Sequence, residues 1–241
     1  MLGLACCAHA GQDSADIPDR AALTLDAECL AIERAFAANR VTELEALQPS
    51  ELRWRAQRAF RLAAIYIPLR ERRKARGVLK VGQQAVRAGL READDEVELL
   101  LLGAMLDGQA LLVDRWKLLS AGWRGLRRLQ RAEKLDPDNP RVALIRGTAR
   151  VVAPRILGGN AQLALDTLQP AERDTPLCAG GEWAQVDVLN WLARAHRLLG
   201  DDVAARAALG RALARVPDHH WTRLELEGAG YVWTEAEADA E

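Results

Sequence analysis

Net charge is almost absent from this chain of 241 residues: 33 Lys and Arg stand against 34 Asp and Glu. Such a balance excludes bulk electrostatic attraction to nucleic acid or to an anionic membrane. Long apolar runs are missing too. Beyond the first few residues no stretch of ~18 apolar positions occurs, so no downstream segment spans a bilayer as a helix. Cysteine is scarce, at four, and neither C-x-x-C nor H-x-x-x-H occurs, which removes the common spacings of a metal site. The serines number three (Ser14, Ser50 and Ser120) and none stands in G-x-S-x-G, so no nucleophile elbow is present. β-branched residues are sparse outside Val151-Val152 and isolated positions, which argues against a sheet.

Phosphate chemistry is hinted at once, in "APRILGGNAQLALDTL", where Gly158-Gly159-Asn160 opens onto a helical pattern. A phosphate loop needs G-x-x-x-x-G-K-[ST], and no Lys follows here. Asn160 instead suits the N-cap of a helix starting at Ala161, with the glycines allowing positive φ in the turn. His219-His220 are adjacent and point apart on any regular element, so they do not chelate one ion alone. Asp94-Asp95 and Asp201-Asp202 fit helix starts, where carboxylates meet the positive end of the dipole. No cofactor is implied.

What the chain has in quantity is helix formers. Ala, Leu, Arg and Glu dominate, and apolar residues recur at three- and four-residue spacing, which predicts an all-α fold. Residues 21–38 carry Leu23, Leu25, Cys29, Leu30, Ile32 and Phe36, the pattern of an amphipathic helix. A second helix is predicted from Ser50, as its cap, to Ile67, ended by Pro68. A third, basic helix covers about 71–90. Residues 51–91 hold twelve Arg and Lys against two Glu, whereas 218–241 hold seven acids against Arg223 alone. Such blocks read as solvated faces, or as complements of one another. Seven tryptophans are many for this length; they suit wedges between helices, and Trp183 and Trp191 suit a groove.

The segments ending "RAEKLDP", "PAERDTP" and "RALARVP" align. Gly125, Ala164 and Ala205 fall in register, then Leu129, Leu168 and Leu209, then Ala132, Ala171 and Ala212, then Pro137, Pro176 and Pro217. The offsets within each segment are four, three and five residues, and the segments start thirty-nine and forty-one residues apart. A small, a large and a small residue on one face let a neighbouring helix approach closely, and the Pro ends the unit. Residues 99–217 thereby resemble the tetratricopeptide repeat. The last unit fits best, with Leu192-Ala193, His196 at the aromatic position and Gly200-Asp201 in the turn. In the middle unit seventeen residues separate Gly147 from Ala164, five more than the family's spacing, and Pro170 breaks or shortens the second helix.

The resemblance implies an α-solenoid of stacked antiparallel helix pairs. Four segments are expected: a secretory signal remnant and polar linker at 1–19, N-terminal helices or a degenerate repeat at 20–92, repeats at 93–217, and an acidic segment at 218–241. Leu2 to Ala8 with Ala8-His9-Ala10 read as the end of an export signal, and Cys6 offers an alternative acylation site. Export would leave Cys29 and Cys178, whose pairing the sequence leaves open. A Pro…Gly-Gly-Asn turn behind such a signal is also similar to the periplasmic T component associated with TRAP transporters, which would handle a small organic ligand. The family's ligand positions, on the first helix of each pair, carry over to Asp114 and Lys117 in one unit and to Asn190, Arg194 and Arg197 in the last. The resemblance thus implies a non-enzymatic scaffold that grips a protein or peptide partner, with no nucleic acid involved.

Overall fold

The computed structural model describes residues 27–114, 116, 118–153, 155, 158–174 and 183–228. Within them the regular elements are helices: α1 (Ala27–Ala37), α2 (Val41–Ala46), α3 (Leu52–Tyr66), α4 (Arg72–Glu92), α5 (Val97–Val113), α6 (Leu118–Leu135), α7 (Pro140–Val152), α8 (Ala161–Asp174), α9 (Trp183–Leu198), α10 (Asp202–Arg215) and α11 (His220–Leu226). The helices α3–α4, α5–α6, α7–α8 and α9–α10 pack as successive pairs. No described helix is long and apolar enough to cross a membrane.

The repeat positions form the interlock their spacing implies. Ala164, Ala205, Leu168 and Leu209 are fully buried, as are Ala132 and Ala212. A Cβ added to Gly125 would stand 3.2 Å from Asp107 Cβ, and one on Gly147 would stand 2.4 Å from Leu168 Cγ. Leu168 therefore fills the space that glycine leaves on the facing helix. The stripe extends upstream. In α4, Ala75, Leu79, Gly82, Val86 and Gly89 are all buried and alternate at four and three residues. A Cβ on Gly82 would meet Ala59 of α3 at 2.8 Å. The α3–α4 pair is thus built like the later ones, with Asp94 where they have Pro.

Helix starts agree in part with expectation. Asn160 Oδ1 accepts from Leu163 N at 3.0 Å, and Asp201 Oδ1 accepts from Ala204 N at 2.9 Å. Gly158 and Gly200 take positive φ, +92° and +78°. Ser50 does not cap α3: the helix begins after Glu51, and the Ser50 amide and hydroxyl donate to Glu28 of α1 at 2.7 and 2.8 Å. Asp94 does not cap α5 either. Glu96 does, accepting from Leu99 N at 3.1 Å, because it is the residue directly before the helix. Pro170 lies inside α8, which continues to Asp174. The short α2 has no sequence signal beyond its few apolar residues.

Along the array the first helices α3, α5, α7 and α9 also pack on one another in order, while the second helices hardly do. The array therefore curves with its first helices inside. That inner side is filled. Cys29, Ile32, Ala35 and Phe36 of α1 join the core of α3–α5 together with Trp221 of α11. Ala37 joins the core of α7–α10, and Leu226 packs against it.

Candidate functional site

The positions carried over on α9 converge on α11. Asn190, Arg194 and Arg197 are four and three residues apart, which places them on one helix face. Arg194 Nε donates to Glu225 Oε1 at 2.9 Å, and Arg197 Nη1 donates to Glu225 Oε2 at 2.6 Å. Arg197 also donates to the Glu225 carbonyl. The Thr222 hydroxyl donates to Asn190 Oδ1 at 2.9 Å. Glu225 and Thr222 are both buried. The Arg194 guanidinium in turn lies 4.8 Å from the centre of the Trp191 ring. Two arginines thus hold a carboxylate by charge-assisted bonds, with the Asn190 amide beside them on Thr222, and the carboxylate comes from this same chain.

The other two positions are elsewhere. Asp114 lies one residue past α5, as its C-cap, with Oδ2 at 3.9 Å from Arg76 Nε of α4. Lys117 lies outside the described residues, as do Cys178, the leader-like start and most of the acidic end. The side chain of Trp183 is likewise not described. In the enlarged α7–α8 turn, Pro154, Ile156 and Leu157 are outside as well, while Asn160 N bonds to Arg150 O at 2.9 Å.

Beside this face sits a cluster that sequence reading does not single out. Arg61 of α3 is buried and reaches Asp187 of α9 in bidentate fashion, Nη1–Oδ1 at 3.2 Å and Nη2–Oδ2 at 2.7 Å. Its Nε donates to Glu33 Oε1 of α1 at 3.0 Å, and Gln57 Nε2 donates to the same oxygen at 2.5 Å. The guanidinium lies 4.5 Å from the centre of the Phe36 ring. Burial alone would lower Arg61, but Asp187 and Glu33 outweigh it and hold the group above its ordinary value. A permanently charged arginine thereby ties the first helix pair to the last. Its partners lie 28 and 126 residues away, so no local motif announces it.

Trp221 completes the closure. Its ring stacks on Phe36 with centroids 5.8 Å apart, and its Nε1 donates to Phe36 O at 3.2 Å. His219 Nδ1 accepts from Thr222 N at 3.2 Å and so caps α11. Burial, then the charge of Arg61, push the His219 imidazole down to about 3, so it is neutral at ordinary pH. Among the described residues no three His, Cys, Asp or Glu side chains gather as metal ligands would. Cys29 is buried in the core beside Ile32 and Phe36.

No family model and no curated protein matches the chain. Among solved structures it is similar to TTC0263, a thermophilic TPR protein of Thermus thermophilus. The likeness has a TM-score of 0.53 at 16% identity and covers 83% of this chain and 96% of that one. At that identity the likeness carries the fold: a tetratricopeptide-like array of stacked helix pairs.

Proposed function

We propose that the protein is a non-catalytic, tetratricopeptide-like scaffold that engages an acidic, helical segment of a partner protein on the inner face of its last pair. One observation carries this reading: Arg194 and Arg197 already grip a helix-borne carboxylate, that of Glu225, while Asn190 on the same face accepts from Thr222 of the same helix. In the free protein α11 takes the place of the partner, and a partner gains access by exchanging with it. Asp114 and Lys117 are secondary contacts in this proposal. The leader-like first residues support a location in the bacterial envelope, which fractionation of cells expressing the full gene tests.

The binding claim is tested with a fluorescent peptide spanning residues 218–228, added to the full-length protein. Glu225→Gln weakens the internal grip, and that variant is expected to bind the peptide more tightly than wild type does. Arg194→Glu with Arg197→Glu is expected to abolish binding. Equal binding by all three proteins sinks the assignment.

A further inference from the structure

A cleft of about 550 Å³ opens where the end of α4 meets α5 and α6, lined by Leu90, Leu100, Trp123 and a row of arginines. It lies on the second-helix side, away from the inner face. Arg124, Arg127, Arg128 and Arg131 stand at i, i+3, i+4 and i+7 of α6, so they share one face. Asp107 of α5, fully buried, binds two of them: Arg124 Nη2 at 2.7 Å and Arg128 Nη1 at 2.6 Å. Two guanidinium groups on one carboxylate leave positive charge over. Burial lowers Arg128 from its ordinary value, and Arg124 and Arg87 lower it further against the pull of Asp107.

Arg131 reaches the carboxylate of Asp94 at 2.8 Å, and both partners are largely in solvent. An exposed pair of this kind contributes little, so an incoming anion displaces Asp94 easily. Arg127 is exposed at the rim. Trp123, 61% exposed, adds a large apolar surface beside these charges.

We propose that this cleft binds an acidic polypeptide segment of a partner protein, with carboxylates on Arg127 and Arg131 and an apolar side chain against Trp123 and Leu90. Charge complementarity carries the choice of occupant. The cleft's arginines already take carboxylates, from Asp107 and Asp94. The arginine row is about 10 Å long at the rise of a helix, which suits a short segment rather than an extended polyanion. A single tryptophan offers no ladder for stacked bases. A chain of formal charge −1 also offers a long nucleic acid no net attraction beyond the cleft. The proposal stands apart from the α9–α11 reading, since its residues lie on other helices.

The test is fluorescence anisotropy with a labelled oligoglutamate peptide carrying one central leucine, added to the full-length protein at low salt. Wild type is expected to bind it and to ignore the same peptide with glutamine for glutamate. Arg127→Glu with Arg131→Glu is expected to weaken binding about tenfold or more. Asp94→Asn, which removes the internal competitor, is expected to tighten it. Arg206→Glu, an exposed change on α10, is expected to leave it unchanged. Thermal melting of each variant checks that the fold persists. The proposal is overturned if the peptide fails to bind, if Arg206→Glu costs as much as the double change, or if a single-stranded oligonucleotide of equal charge binds as tightly.

Discussion

Arginine does opposite work in the inner cluster of this array and at the exposed rim of its outer cleft. On the inner side, Arg61, Arg194 and Arg197 are engaged by Glu33, Asp187 and Glu225, and an aromatic ring lies against Arg61 and another against Arg194. On the outer side, Arg127 and Arg131 look into solvent from α6, and Asp94, whose carboxylate Arg131 reaches, is itself exposed. The residue type is the same, so the difference lies in burial and in the origin of the partner. A buried guanidinium with its carboxylates in hand closes a structure. An exposed one with a loosely held partner is available to another molecule.

The sharpest way to break this contrast is Arg61→Ala. It leaves Glu33 and Asp187 without their counter-charge, and a loss of about 3–5 kcal/mol is expected from denaturant unfolding. The same change at Arg127 removes an exposed side chain and is expected to shift stability by less than about 0.5 kcal/mol. If the two losses proved similar, the inner and outer arginines would not differ in kind.

A second effect, of intermediate size, separates the inner side by pH. The folded protein holds His219 near 3, whereas the unfolded chain protonates it near the ordinary 6.5. Between those values the unfolded state binds more protons, so stability falls as pH drops from about 6.5 toward about 3. His219→Asn keeps an N-cap acceptor but does not titrate. Its stability is expected to fall less steeply over that window, with His220, also lowered by burial, supplying part of the remaining slope. Parallel pH profiles for the two proteins would contradict the burial of His219.

How far the sequence reveals this molecule depends on how local each cause is. The packing stripe of Gly125, Leu129 and Ala132 is readable because it lies within one helix and its physics is spacing. The same stripe in α4, Gly82-Val86-Gly89, is equally regular, but Asp94 stands where a Pro would have flagged it. Asn160 and Asp201 cap helices that begin at the next residue, so they too are legible. Arg61 and Asp187 are not, because their pairing depends on the curvature of the whole array. Asn190, Arg194 and Arg197 carry over from the repeat family's register, and their four- and three-residue spacing shows that they share one helix face. That their carboxylate is Glu225 emerges only with α11 folded back against them. Ser50 shows the converse, since a good local cap is lost to a carboxylate on another helix.

The central claim is that α11 closes the inner side of the free protein by docking its Glu225 on α9. Amide hydrogen exchange across residues 220–226 tests it most directly. The account predicts protection comparable to that of α9 in wild type, and its loss when Arg194 and Arg197 are both changed to Glu while α4 stays protected. Wild-type amides in α11 that exchange as fast as free chain would contradict it.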